Sequence, residues 1–185
     1  MKIVKILGGL GNQMFQYALF LSLKERFPHE QVMIDTSCFR NYPLHNGFEV
    51  DRIFAQKAPV ASWRNILKIG KYILPKRKTM CVERKNFSFD AAVLTRKGDC
   101  YYDGYWQHEE YFCDMKETIW EAFSFPEPVD GRNKEIGALL QASDSASLHV
   151  RRGDYVNHPL FRGICDLDYY KRAIHYMEER VNPQL

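Results

Sequence analysis

No two cysteines in this chain stand in a C-x-x-C pair. The five present, Cys38, Cys81, Cys100, Cys113 and Cys165, are odd in number and widely spaced. That argues against a disulfide framework, and reduced thiols in a cytosolic protein are expected. No metal-ligand spacing joins them to the six histidines, so no metal is expected. The start, Met1-Lys2-Ile3-Val4-Lys5, has no apolar leader and no cleavage site, so a signal peptide is not expected. The longest apolar stretch, Tyr17 to Leu23, includes Ser22 and is far too short to span a bilayer. A net charge of +3 is too small to point to nucleic acid. Internal repeats and low-complexity tracts are absent.

What is present suits a packed protein. Hydrophobic residues at 45% and charged residues at 26% are ordinary for a globular chain. A length of 185 residues fits one domain, or one domain and part of another. Aromatics at 14% serve a core, or the flat faces of a carbohydrate site.

The pattern predicts an α/β fold. Lys2 to Leu7 reads as a buried strand and Gly8-Gly9-Leu10-Gly11 breaks it. Asn12 is placed to cap a helix over Gln13 to Phe27, which Pro28 ends. Gln31 to Asp35 is a second strand. Strand, glycine loop, helix and strand open a parallel sheet. Residues 36–60 read as loop and short helix, and Ala61 to Leu74 as a helix. Thr79 to Glu83 and Cys100 to Trp106 read as strands, and Glu109 to Phe123, with Phe112, Met115 and Ile119 inward, and Asn133 to Gln141 as helices. Ser147 to Val150 reads as a strand. Asp166 or Asp168 caps a last helix with Tyr170, Ala173, Ile174, Met177 and Val181 on one face. The composition breaks weakly at Ser124 to Arg132, a candidate hinge.

Four stretches are able to carry chemistry. In His149-Val150-Arg151-Arg152-Gly153-Asp154-Tyr155, two arginines meet a turning glycine and an acid. Arginine holds phosphate bidentately and keeps its charge, which suits a leaving diphosphate. Such a donor is worth roughly 2–4 kcal/mol in a transition state. The plain alternative is a surface turn with solvated arginines. The tripeptide Arg152-Gly153-Asp154 also spells an adhesion motif, but a chain without a secretion signal would not meet that receptor. In Gly8-Gly9-Leu10-Gly11-Asn12-Gln13, backbone N–H groups at a helix start can receive an anion or a sugar. The dinucleotide pattern G-x-G-x-x-G fits Gly9 and Gly11 and fails at Met14, with Asp35 where a ribose-binding acid would stand. A nucleotide-dependent oxidoreductase is therefore the alternative enzyme class. In Gly104-Tyr105-Trp106-Gln107-His108, a strand end faces the ligand side of a sheet. Gln107 and His108 are placed there to meet sugar hydroxyls. Trp63 to Lys78 combines an apolar stripe with six basic residues, and can lie on an anionic membrane or be an ordinary packed helix.

Taken together these motifs resemble the α-1,2-fucosyltransferases, a family sharing His-x-Arg-Arg-Gly-Asp-Tyr with related fucosyltransferases (glycosyltransferase family 11). The likeness rests on His149 to Tyr155, on Gly8 to Ala18, on Gly104-Tyr105-Trp106-Gln107 with Tyr111-Phe112, and on Asp168-Tyr169-Tyr170 with Ala173-Ile174. It implies a GT-B-like fold, with a Rossmann-like acceptor-side domain over 1–130 and the start of a GDP-fucose-binding domain over 131–185. That second domain is expected to be incomplete. The implied reaction is inverting transfer of fucose from GDP-β-L-fucose to O2 of a β-galactoside of a surface glycan, with no cofactor and no obligatory metal. In the implied site Arg152 and His149 are catalytic, with Arg152 on the β-phosphate and His149 and Asp154 shaping its surroundings. Arg151, Gly153 and Tyr155 complete that loop. Gly9, Gly11, Asn12 and Gln13 face sugar or acceptor, with Gln107 and His108 nearby. A lipid-linked acceptor would suit peripheral contact with the cytoplasmic face of the inner membrane. A non-catalytic remnant is the third possibility.

Overall fold

The computed structural model describes residues 1–41, 45–69, 79–150, 152, 153, 156, 159 and 162–181. Its sheet has four parallel strands: β1 (Lys2–Lys5), β2 (Val32–Asp35), β3 (Met80–Val82) and β4 (Cys100–Asp103). The lateral order is β2-β1-β4-β3. Parallel pairing needs a crossover, and α1 (Leu10–Arg26) supplies it between β1 and β2. Short helices α2 (Val50–Phe54), α3 (Trp63–Lys68), α4 (Ala92–Thr95) and α5 (Lys116–Ala122) follow. Two longer ones come last, α6 (Gly131–Gln141) and α7 (Leu167–Val181).

Alternation along β1 feeds two cores. Val4 and Ile6 pack with Tyr17, Phe20 and Leu23 of α1 and with Tyr102 of β4. Ile3 packs on the opposite face with Met33, Tyr101, Ile66 and Ile69. A parallel sheet covered on both faces needs apolar side chains at successive strand positions, which Ile3-Val4 and Val32-Met33-Ile34 provide. The chain divides into two compact units, Met1–Pro126 and Glu127–Leu185. Among the described residues every buried one belongs to the first, the last in sequence being Ala122.

Four expected elements differ. Helix α1 begins at Leu10 with Gly9 as its N-cap, so Asn12 lies inside the first turn and does not cap it. Gly8, at φ +85°, turns the chain early enough for this. The expected helix from Ala61 is described only over Trp63–Lys68, capped by Ser62 and Asn65 in a reciprocal box; residues 70–78 lie outside the described residues. The expected single helix over Glu109–Phe123 is two 3-10 turns and then α5. Tyr111 is drawn into the core there, its hydroxyl bonded to Asp90 N–H and Ser88 C=O. Ser147–Val150 has no regular secondary structure; among the described residues no strand lies beside it to make a ladder.

Candidate functional site

The loops after β1 and β4, central neighbours in the sheet, meet at its carboxyl end. Open α/β sheets hold ligands outside such strand ends, where strand order departs from chain order. Two buried glutamines build this corner. Gln16 accepts Leu7 N–H at 2.9 Å and donates to Gly104 C=O at 3.0 Å, tying one loop to the other. Gln13 donates to Gly8 C=O at 2.8 Å and Gly47 C=O at 2.9 Å, and accepts Glu49 N–H at 2.8 Å. Its amide is fully engaged and wholly buried, so Gln13 braces the glycine loop. Above these braces Gln107 Nε2 donates to Asn12 Oδ1 at 2.9 Å. Sequence reasoning proposed Asn12 and Gln107 separately, and the structure brings them together.

The glycines divide by role. A Cβ on Gly8 would sit 2.7 Å from Asn12 Nδ2, so this position needs glycine for space as well as for φ. Gly9 packs under the His45 ring. Gly11 faces open space in the first turn of α1. Amides of that turn have no carbonyl a turn earlier to receive them, and the macrodipole favours an anion or oxygen there.

One functional residue escaped sequence reasoning. Glu83, just past β3, accepts Tyr105 N–H at 2.7 Å and Trp106 N–H at 3.1 Å. It pins a turn in which Trp106 has φ +57°, uncommon for a bulky residue. Gly104 fits because any Cβ would collide with Glu83 Cβ. The turn delivers Gln107 toward Asn12. It also sends His108 elsewhere: its Nδ1 accepts Glu110 N–H at 3.3 Å and its ring stacks on Phe89.

The Trp106 indole N–H is buried and lacks an acceptor among the described residues. Leaving such a donor unpaired costs about 1–3 kcal/mol. Nearby, a hydrogen bond with the Cys100 thiol, aided by the Arg96 charge, holds the Cys81 thiol below its ordinary range. All five cysteines are free thiols.

Asp35 is not available to a ribose. Its carboxylate accepts Tyr101 O–H at 2.6 Å and Ser37 N–H at 2.9 Å, and the residue is buried. The oxidoreductase alternative loses the acid it required.

In the second unit, Arg152 lines a cavity of about 580 Å³ with Arg162 and Lys171. Three cationic side chains there share one space with apolar walls from Leu148, Val150 and Tyr170. Arg162 gave no motif signal in the sequence. Arg152 C=O accepts Val156 N–H at 3.0 Å, closing one turn around Gly153, whose φ is +22°. His149 is exposed and is not among the lining residues. Arg151, Asp154 and Tyr155 lie outside the described residues. Among the described residues no cluster of His, Cys, Asp and Glu is able to hold a metal ion, and no helix is long and apolar enough to cross a membrane.

Comparison with known proteins adds three findings. The family model described as Glycosyl transferase family 11 matches residues 1–185. The chain is 32% identical to "Alpha-1,2-colitosyltransferase" of Escherichia coli, over 97% of this chain and 65% of that protein. It is 27% identical to "O-antigen biosynthesis glycosyltransferase WbnK" of Escherichia coli, over 93% of this chain and 66% of that protein. It thus spans just under two thirds of the length of these relatives. No solved structure matches the chain significantly.

Proposed function

Because the chain belongs to glycosyl transferase family 11, we propose that it takes part in inverting transfer of L-fucose from GDP-β-L-fucose to O2 of a β-galactoside in a surface glycan. The observation that carries this reading is the bridge from Gln107 to Asn12, which joins two loop motifs at the carboxyl end of the sheet. In this reading residues 1–130 are the acceptor-side domain of a GT-B-like enzyme. Residues 131–185 open its donor domain. Arg152, with Arg162 and Lys171 beside it, neutralises the diphosphate as the glycosidic bond breaks. Permanent guanidinium charge does this without an obligatory metal. His149 and the residues outside the description, Arg151, Asp154 and Tyr155, complete the loop. Gly9, Gly11 and Asn12 offer backbone and side-chain polar groups to the sugar or acceptor, and Gln107 orients Asn12.

A lipid-linked acceptor and peripheral membrane contact remain part of the proposal. Their support is the exposed face of α3, where Trp63, Arg64, Leu67 and Lys68 lie together. A second donor is favoured by one observation: a relative is named for transfer of colitose with the same α-1,2 linkage.

The test has two arms. GDP-fucose should slow hydrogen exchange at 149–153 in this chain, and NADH should not. In a family member of the relatives' full length, the substitution matching Arg152→Ala should lower turnover about 10²–10³-fold, the magnitude of a lost transition-state donor. Unchanged turnover would remove Arg152 from the leaving-group role. Faster turnover with activated colitose than with GDP-fucose would reassign the donor.

A further inference from the structure

We infer that a pocket beside the edge strand β3 binds an acidic saccharide, a sugar ring carrying a carboxylate or a phosphate. The pocket holds about 530 Å³, room for one or two sugar rings, and lies within the first unit. Its floor is Cys81, Val93, Trp106 and Tyr111, all buried. Phe89, which also lines the pocket and is 37% exposed, supplies aromatic surface for a pyranose, which is apolar on its faces and oxygen-rich at its rim.

Charge gives the ligand its sign. The wall contains two carboxylates, and both are engaged. Glu83 receives the two N–H groups of the Trp106 turn, and Asp90 Oδ1 accepts Ala92 N–H at 3.0 Å. Arg84 and Lys85 also line the pocket, are exposed, and have no ionic partner among the described residues. Arg96 adds a third cation. Guanidinium and ammonium groups gathered at one mouth favour an anion, and guanidinium matches carboxylate and phosphate alike.

Trp106, in the wall of this pocket, carries two unusual features. The Trp106 indole N–H is the buried side-chain donor left without an acceptor among the described residues, and Trp106 is 1% exposed. Such orphans are rare in folded proteins. The same residue carries the left-handed backbone at φ +57°. Trp106 lines the pocket, so a ligand held there lies against the turn that presents Gln107.

The pocket does not include Asn12, Gln107 or Arg152. Its reading as the seat of a charged unit of the acceptor glycan rests on the transferase proposal above. Binding itself needs no donor, so the two are separable.

Tryptophan fluorescence of the full chain reads the site. Trp63 and Trp120 are 66% and 72% exposed, so the blue edge of the emission belongs to Trp106. Glucuronic acid and glucose 1-phosphate should each shift that edge saturably, and glucose and inorganic phosphate should bind at least about tenfold more weakly. R84A/K85A should weaken both acidic sugars by about tenfold or more, with far-UV circular dichroism unchanged because both residues are exposed. Equal binding of glucose and glucuronic acid, an indifferent double variant, or no response at all would overturn the inference. Inorganic phosphate binding as tightly as glucose 1-phosphate would reduce the pocket to a plain anion site and overturn it too. Loss of GDP-fucose protection at 149–153 with this binding intact would count against the transferase reading alone.

Discussion

Asn12 and Gln107 stand on buried amides, whereas Arg152 and His149 stand on exposed chain. Beneath the first pair, Gln13 and Gln16 are wholly buried and bond five backbone groups from three segments. Around the second pair, no described residue from 127 onward is buried. α7 presents Tyr170, Ala173 and Met177 half-buried, and Ile174 is 41% exposed. The difference separates two ways of making a site. In the first unit the protein fixes the geometry before any ligand arrives, since moving Gln107 means breaking a braced loop. In the second, three cations surround one cavity, and among the described residues no packed floor offsets their mutual repulsion.

The largest expected contrast is in core deletion. Leu19 is wholly buried in the α1 core, and Leu19→Ala should cost about 2–5 kcal/mol in urea unfolding of the full chain. Ile174→Ala, at a position already 41% exposed, should cost about 1 kcal/mol or less. Equal losses would erase the distinction between the units and show that α7 is packed as tightly as α1.

Alkali should act next, and on the first unit. Burial pushes the Tyr17 phenol up to about 12, with a smaller contribution from Asp51. Tyr102, also in this core, is pushed up in the same direction by burial. An unfolded tyrosine releases its proton near pH 10; the folded Tyr17 keeps it until about pH 12. The associated stability is therefore complete below pH 10 and is lost as pH rises from 10 to 12, by about 2–3 kcal/mol for Tyr17. Urea midpoints at pH 9 to 12 should show this decline, and Tyr17→Phe should flatten part of it. A midpoint that stays constant over that range would mean Tyr17 is not sealed in the core.

Much of this frame was legible in the sequence because its signals are local. Ile3-Val4 and Val32-Met33-Ile34 announce buried strands, and the glycines between them announce the turn. Resemblance named Asn12 and Gln107 in two separate motifs, and the sheet explains why they meet. Glu83 was invisible for the opposite reason. It is one acid beside Arg84, and its partners lie more than twenty residues on, at Tyr105 and Trp106. Lys2 was hidden likewise: it is buried, with its ammonium 2.7 Å from Arg96 C=O and over the Phe27 ring. Local pattern also misled. The helical spacing of Phe112, Met115 and Ile119 is real, yet Tyr111 anchored to Ser88 and Asp90 divides that stretch. Apolar Leu148 and Val150 imitate a strand that has no described neighbour to pair with.

The smallest expected effect sharpens the comparison from the exposed side. α6 opens the second unit with Asp130, whose carboxylate accepts Asn133 N–H at 2.9 Å. This bond, chiefly, holds the Asp130 carboxyl below its ordinary value of 3.8. Because the folded pKa is depressed, the cap contributes above the unfolded value and fades as pH falls through the folded one. The Asn133 amide should therefore exchange faster as pH drops below 3.8, beyond the intrinsic change in exchange rate. Asp130→Asn keeps an oxygen acceptor at the cap and should remove the pH dependence while leaving the helix in place. In the first unit the matching cap is Ser62, which carries no titrating group, so the Asn65 amide should show no such acid step. An acid step of equal size at both amides would place its cause outside the Asp130 carboxylate and leave the two caps indistinguishable.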